Sequence, residues 1–316
     1  MIPLKYQKNK YVEDEYYKLI IQNRKPNYIE EIECKCMRYL QKSFKEIVCA
    51  SPKKIQELHN NIIARQDYEQ IKKEFKYIYS PNKENNYIVT TLYERMPQEA
   101  KQLIYKQVGL KVCPYCNRNF IDKLKINKNV RTYAGTFELD HFYPKEKFPM
   151  FAVSFYNLIP ACGTCNGIKS NEIFKLNPYL LDVQKDDISF KYNIVGIDYL
   201  NNENDIEIEM YSSSKVALED AENLRLEEVY NSHKDIVQEI IKKMKYYNPE
   251  YIKCLMNETG VLFKDKNEIY RLLYGGYANP NEFGKRPLSK FIKDIYYDTK
   301  EMLNGLDVFS EDENTN

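Results

Sequence analysis

Eight cysteines occur in the chain, and the four best spaced to bind a metal form two CxxC pairs. They are Cys113 and Cys116 in CPYC, and Cys162 and Cys165 in CGTC. Four thiolates suit one tetrahedral Zn2+, and such a closed site keeps no position for a substrate. We therefore predict a structural zinc, with the chemistry assigned to other residues.

A pair of disulfides is the competing interpretation of these cysteines. The N-terminal residues MIPLKYQKNKYVEDEYYKLI contain no apolar core of a signal peptide, so we expect a cytoplasmic protein. In that reducing compartment thiolates bind zinc more readily than they oxidise.

Between and after the cysteine pairs lie further polar residues in a fixed order. Residues 113–169 contain CPYC, FELDHFYPK and NLIPACGTCNGIKS. This order resembles the HNH family, the zinc-knuckle branch of the ββα-metal endonucleases. The resemblance implies that the aspartate of the DH pair binds a divalent metal and that the histidine is the general base. It also implies that a middle asparagine braces the loop between two strands and that a final His or Asn completes the metal site. These roles fall on Asp140, His141, Asn157 and Asn166.

Residue chemistry favours the same site. The alternating apolar and acidic residues of Phe137–Asp140 predict a half-buried strand that ends at the DH pair. A second strand is predicted over Phe155–Ala161 and a helix over Gly163–Lys169. Carboxylate and amide oxygens are hard ligands, so we predict Mg2+ or Mn2+ at Asp140 and Asn166.

Neutral imidazole has an ordinary pKa of about 6.5, so His141 could take a proton from water near neutral pH. The resulting hydroxide would attack phosphorus. We expect Lys145 and Lys169 to contact backbone phosphates, although a solvated lysine is the ordinary alternative. Glu138 lies on the strand face of Asp140, where it would be an auxiliary metal ligand or bond to one.

The DH pair has a structural alternative, a satisfied pair with no chemistry, and Asn157 could merely cap the second strand. The cysteines alone would also fit a zinc ribbon that binds a partner. Such a ribbon would have no need of a DH pair between its knuckles.

Composition indicates a globular protein with a local basic region. The 316 residues are 43% hydrophobic, with a formal net charge of +1, and no run of about 18 apolar residues is present. Residues 111–175 contain ten Lys or Arg against five Asp or Glu, which would steer a polyanion such as DNA. Much of this excess lies between residues 123 and 131, where a solvated turn is the alternative.

We predict an α+β fold in which a zinc-braced ββα-metal core, residues 111–178, is embedded between helical regions. The N-terminal region is 1–110. The C-terminal region, 179–309, begins with a β-hairpin over 188–194 and 206–211, and 310–316 form a disordered tail.

Several local signals predict where the flanking helices begin and end. Asn27 is predicted to cap one helix that continues through Ile47, and Ser51-Pro52 to begin the next. Gly275 is predicted to cap a later helix.

These patterns predict a metal-dependent endonuclease that hydrolyses phosphodiester bonds in DNA. The whole chain resembles, more loosely, the HNH nuclease components of anti-phage systems of the Septu type and of related retron effectors. That resemblance implies an ATPase partner. The alternatives are a free-standing restriction or homing nuclease, and a non-catalytic zinc module that binds nucleic acid or protein. The sequence contains no helix-turn-helix or finger array that a free-standing nuclease would use to recognise a sequence.

Overall fold

A computed structural model describes residues 1–76, 92–125, 133–182, 188–247, 251–252, 254, 263 and 265–303. They belong to two compact units. The first unit comprises Pro3–Leu110 and Ile121–Leu181, and the second comprises Met1–Ile2, Lys111–Phe120 and Asp182–Asn316. Part of the predicted basic turn, residues 126–132, and the whole predicted tail lie outside the described residues. The fold is mixed α+β with small sheets of two antiparallel strands each.

The N-terminal part of the first unit is helical. Its helices are α1 (Lys10–Ile21), α2 (Pro26–Lys35), α3 (Phe44–Val48), α4 (Pro52–Ile63), α5 (Tyr68–Lys76) and α6 (Gln98–Val108). The prediction for Ser51-Pro52 is confirmed, because the Ser51 hydroxyl accepts a backbone N–H of α4 at 3.3 Å. The prediction for Asn27 is wrong. Helix α2 begins at Pro26 with Lys25 as its N-cap, since the fixed φ of proline suits a first helical position.

The helix predicted to run on to Ile47 is interrupted. After α2 the chain makes a π turn over Cys36–Leu40, and Gln41 adopts a left-handed conformation with φ of 54°. Ser43 then starts α3 with a capping box, in which its hydroxyl and the carboxylate of Glu46 each bond to the other residue's backbone N–H. The apolar spacing continues through this break, so periodicity alone did not reveal it.

The C-terminal part of the first unit contains four short strands and a helix. They are β1 (Lys123–Lys125), β2 (Tyr133–Gly135), β3 (Glu138–His141), β4 (Leu158–Ala161) and α7 (Gly163–Lys169). Strands β3 and β4 are antiparallel, with Asp140 opposite Ile159 and His141 opposite Leu158. The second strand is shorter than predicted, because Phe155–Asn157 form a 3-10 turn. The chain therefore runs strand, loop, strand, helix from Glu138 to Lys169.

The loop between β3 and β4, residues 142–157, packs on the N-terminal helices. The wholly buried Tyr16 of α1 donates its hydroxyl to Val153 O at 3.0 Å, and its ring meets Phe155 edge-on at 4.9 Å. The hydroxyl of Ser154 donates to Ile47 O of α3 at 2.9 Å. The helices thus hold the middle of this loop in place.

The second unit consists of the first CxxC segment, a hairpin and helices. Its elements are β5 (Ser189–Ile194), β6 (Ile206–Tyr211), α8 (Lys215–Asn223), α9 (Leu226–Tyr230), α10 (Lys234–Tyr246), α11 (Lys266–Tyr274) and α12 (Ser289–Met302). Phe190 of β5 packs against Tyr230 at 4.2 Å and Phe291 at 5.4 Å between ring centroids. The prediction for Gly275 is confirmed, with a left-handed φ of 81° at the end of α11.

Asn117 holds the first CxxC segment within the second unit. Its side-chain amide donates to Phe283 O at 2.9 Å, and its carbonyl oxygen accepts from Lys290 N at 3.0 Å. Asn117 has a φ of 50°, a conformation that asparagine tolerates better than most residues. In the described part of the chain, no helix has the length and apolar character needed to cross a membrane.

Candidate active site

The sequence DH places its two side chains at the end of β3, and the fold buries both of them. Asp140 is 2% exposed and His141 is 9% exposed. Polar groups in such surroundings need hydrogen-bond partners, because an unpaired one costs free energy comparable to a lost hydrogen bond. The partners of these two residues define what they can do chemically.

His141 is bonded to the loop that follows it. Its Nε2 atom lies 2.9 Å from Ala152 O. A carbonyl oxygen only accepts, so Nε2 carries the proton, and in the neutral ring Nδ1 keeps a lone pair. Burial lowers the pKa of His141 to about 3, and the positive charges of Lys145 and Lys169 also favour the neutral form. The imidazole is therefore neutral at ordinary pH and held in one orientation by its bond to Ala152 O.

Asp140 forms a buried ion pair. Lys169 Nζ lies 3.1 Å from Asp140 Oδ1 and donates to His141 O at 2.7 Å, and the lysine side chain is fully buried. We expected Lys169 to contact a phosphate, and the structure instead places its ammonium group inside the first unit. Lys169 thus attaches the end of α7 to the end of β3.

Asn157 is the last residue of the loop between β3 and β4, and its side chain bonds back across that loop. Its carbonyl oxygen accepts from Tyr143 N at 2.9 Å, and its amide donates to Tyr143 O at 3.1 Å and Phe151 O at 3.0 Å. The side chain is completely buried. These three bonds hold the two ends of the loop together, and they lie close to Ala152, the partner of His141.

Glu138 and Asn166 are joined at the open end of the hairpin. The amide of Asn166, in the first turn of α7, donates to Glu138 Oε2. Because a carboxylate accepts hydrogen bonds, the Asn166 amide is oriented with Oδ1 away from Glu138. Glu138 is exposed, unlike Asp140. The structure thus brings Asn166 to Glu138, and Lys169 to Asp140, along one side of α7.

Tyr93 lies against His141, and Lys145 lies over the ring of Tyr93. The ring of Tyr93 meets the imidazole edge-on, with 4.3 Å between centroids, and Lys145 Nζ lies 5.2 Å from the centre of the Tyr93 ring. Burial raises the pKa of Tyr93 to about 12, so its hydroxyl remains a donor, and it bonds to Leu139 O at 3.0 Å. Sequence reasoning missed Tyr93, because no motif or spacing connects it with the DH pair.

The four cysteines of the CxxC pairs form a compact cluster. All are buried, and their sulfur atoms lie within 4.8 Å of one another. A tetrahedral zinc with Zn–S bonds of 2.3 Å separates its sulfurs by about 3.8 Å, so the cluster could hold one zinc ion. None of the cysteines in the described residues forms a disulfide. Among those residues this is the one cluster of three or more Cys, His, Asp or Glu side chains suited to a metal.

Both knuckles provide backbone donors to sulfur. Arg118 N lies 3.4 Å from Cys116 Sγ, and Cys165 N lies 3.5 Å from Cys162 Sγ. Such N–H groups favour the thiolate form, which is the form that binds zinc. Cys162 is also the N-cap of α7, so the cluster adjoins the helix that carries Asn166 and Lys169.

Part of the chain is similar to a known protein. The chain is 35% identical over 65 residues to the Septu protein PtuB of Bacillus thuringiensis, which corresponds to 19% of this chain and 25% of that protein. The match therefore spans a quarter of the relative's length. The chain matches no protein-family model, and no solved structure is similar to it.

Proposed function

We propose that the protein is a metal-dependent HNH endonuclease that hydrolyses phosphodiester bonds in DNA and acts in anti-phage defence. The observation that carries this proposal is the imidazole of His141, oriented by its bond to Ala152 O. His141 ends the first strand of a strand, loop, strand, helix segment. The same segment contains Asp140, Asn157 and Asn166, the residues to which the HNH resemblance gives roles. The limited similarity to a Septu protein supports the defence role.

The chemical step follows from the two ring nitrogens of His141. Nε2–H bonded to Ala152 O keeps Nδ1 as the acceptor, so Nδ1 takes a proton from water and the hydroxide attacks phosphorus in line. The leaving oxygen departs with the electron pair of the broken P–O bond. Asn157 acts at a distance by holding the loop that carries Ala152.

Carboxylate and amide oxygens are the donors that suit a hard divalent cation. Asp140 and Asn166 would hold Mg2+ or Mn2+, with Glu138 as an auxiliary ligand or as the group that orients the Asn166 amide. When bound, the ion supplies stabilisation of negative charge on the phosphate oxygens. Lys145 is the cation that would contact the substrate phosphate, whereas Lys169 has its partners inside the protein.

The test is cleavage by the purified protein and its His141→Ala variant. Plasmid, linear duplex, single-stranded DNA and RNA are incubated in Mg2+, in Mn2+ and in EDTA. We expect His141→Ala to abolish cleavage while DNA binding survives, because the base acts on water and adds little ground-state affinity.

The histidine control is His233→Ala, since His233 accepts from Arg118 Nε at 2.8 Å in the second unit and has no role in the proposed chemistry. Asp140→Ala and Asn166→Ala should raise the Mg2+ concentration needed for cleavage. If His141→Ala cleaves within a few-fold of wild type, the base is another residue. DNA binding without any cleavage would favour the non-catalytic zinc module.

A further inference from the structure

Tyr93 contacts the proposed active site from a part of the chain outside the CxxC and DH motifs. Its hydroxyl donates to Leu139 O at 3.0 Å, which attaches it to β3. Its ring lies against the His141 imidazole at 4.3 Å and 65°. One side chain therefore contacts both the backbone and the proposed base of the same strand.

Lys145 lies over the face of the same ring. Its Nζ is 5.2 Å from the ring centroid, within the range of a cation–π interaction. The Lys145 side chain is partly exposed, and among the described residues it forms no ion pair with a carboxylate. Its ammonium group is thus held near His141 and can still contact an anion.

We propose that Tyr93 is a positioning residue that sets the plane of the His141 imidazole and places the Lys145 ammonium group beside it for the substrate phosphate. This inference rests on the proposed function. The Ala152 bond holds only one ring nitrogen, which leaves the imidazole able to tilt about that contact. The Tyr93 ring blocks the tilt, and its negatively polarised face holds the lysine.

The ring, rather than the hydroxyl, makes both of these contacts. Tyr93→Phe keeps the ring and loses only the bond to Leu139, whereas Tyr93→Leu loses the ring. Tyr105 provides a matched control in the same unit. Its hydroxyl donates to Ile121 O at 3.0 Å and its ring stacks on Phe137 at 4.9 Å, but it has no contact with His141.

The first measurement is steady-state cleavage by wild type, Tyr93→Phe, Tyr93→Leu and Tyr105→Leu, with His141→Ala as the background. Misplacement of a catalytic group by about 1 Å can reduce a rate by about 10²-fold. We expect Tyr93→Leu to reduce kcat by about tenfold to a hundredfold, because the base His141 is misplaced. We also expect it to raise KM, because Lys145 is no longer held in place for the substrate phosphate. Tyr93→Phe should recover most of the loss. A Tyr93→Leu enzyme with the kcat and KM of Tyr105→Leu would overturn the inference.

The second measurement does not depend on cleavage. The chain has only three histidines, so nitrogen-15 NMR can resolve the tautomer of each. We expect His141 to show Nε2–H in wild type, Tyr93→Phe and Tyr105→Leu, and averaged nitrogen shifts in Tyr93→Leu. Thermal melting of each variant shows whether it is folded. Unchanged His141 shifts in a folded Tyr93→Leu protein would also overturn the inference.

The two measurements separate this inference from the proposed function. Wild-type cleavage that is lost in His141→Ala, together with an unaffected Tyr93→Leu, would contradict the Tyr93 role alone. If the wild type shows no cleavage that depends on His141, the proposed function is wrong. The NMR measurement then decides by itself whether Tyr93 positions His141.

Discussion

At the scale of single residues, the buried ion pair of Asp140 and Lys169 is expected to have a large effect on stability. Both side chains are almost wholly removed from solvent, with 3% and 0% exposed. An ion transferred from water into a protein interior loses hydration, and its partner offsets that loss only while both are present. The stability of the site therefore depends on the presence of both charges.

Lys169→Met should reduce the free energy of unfolding by about 3–5 kcal/mol, because it leaves the buried carboxylate of Asp140 without its counter-charge. The double variant Asp140→Asn/Lys169→Met should recover a large part of this loss. Chemical denaturation of both proteins measures the difference.

The exposed pair Lys243 and Glu239, at 2.9 Å with 33% and 62% of the side chains exposed, is the control. Lys243→Met should change stability by less than about 1 kcal/mol. Equal losses in Lys169→Met and Lys243→Met would contradict a buried ion pair.

His141 leads to a prediction for the pH dependence of cleavage. The neutral fraction of an imidazole with a pKa of about 6.5 falls roughly tenfold between pH 7.5 and pH 5.5. Since burial lowers the pKa of His141 to about 3, its basic form persists at pH 5.5. We expect the rate at saturating Mg2+ to fall less than about threefold across this range. A tenfold fall would show that the ring titrates near its ordinary pKa.

At the scale of elements, the loop between β3 and β4 positions the site. The loop is bonded to α1 and α3 through Val153 and Ser154 and is closed on itself by Asn157. It carries Ala152, which orients His141. The orientation of the base therefore depends on elements that contribute no chemical group.

Asn157→Ala should destabilise the protein by about 2 kcal/mol or more, because each buried backbone group left unsatisfied costs about 1–3 kcal/mol. The N–H and the carbonyl of Tyr143 lose their partner in a buried loop, whereas Phe151 O keeps its bond from Ser154 N at 3.0 Å. The control is Asn204→Ala, which removes an exposed amide that bonds to Asn202 at 3.2 Å. Urea denaturation compares the two variants, and similar midpoints would argue against a bracing role for Asn157.

Removal of a cysteine ligand tests the structural zinc. Cys165→Ser should lower the zinc content below one ion per chain and lower the melting temperature, because metal binding to a structural site contributes directly to folding. Cys34→Ser is the control, since Cys34 is exposed and outside the cluster. Elemental analysis and thermal melting are the measurements. Unchanged zinc and melting in Cys165→Ser would refute the zinc assignment.

At the scale of the whole molecule, the net charge bears on how the chain would bind DNA, and the short match to the Septu protein bears on the role of the remaining residues. The net charge of +1 does not make the chain a general polycation, so affinity for DNA has to come from local basic residues. Most of the chain lies outside the match to the Septu protein. We propose that the flanking helical regions, roughly 1–110 and 217–303, bind a partner, an ATPase as the family resemblance implies.

We expect the isolated chain to cleave DNA slowly and to gain activity or substrate choice in a complex with that ATPase. An unrestrained nuclease would attack the DNA of its own cell, and we find no nucleotide-binding motif in this sequence. The measurement is turnover of the isolated protein against the co-purified assembly, at equal nuclease concentration and with or without ATP. Rapid cleavage that no partner alters would favour the free-standing nuclease.

The sequence by itself determined the features that depend on neighbouring residues. The two CxxC pairs predicted a four-cysteine cluster, and Ser51-Pro52 and Gly275 predicted a helix start and a helix end. Helix caps are local, so the residues that cause them lie within a few positions of one another. The two CxxC pairs are separated by 46 positions, from Cys116 to Cys162, and their shared ligand chemistry predicted that they would meet.

Only the tertiary structure decided the surroundings of each polar group. The sequence alone suggests that Lys169 is a surface lysine, yet it bonds to Asp140, 29 positions away. Tyr93 bonds to Leu139, 46 positions away. The low pKa of His141 likewise results from burial by distant segments. Desolvation and ion pairing depend on which side chains meet after folding, and a single sequence contains no periodic or compositional signal for such long-range contacts.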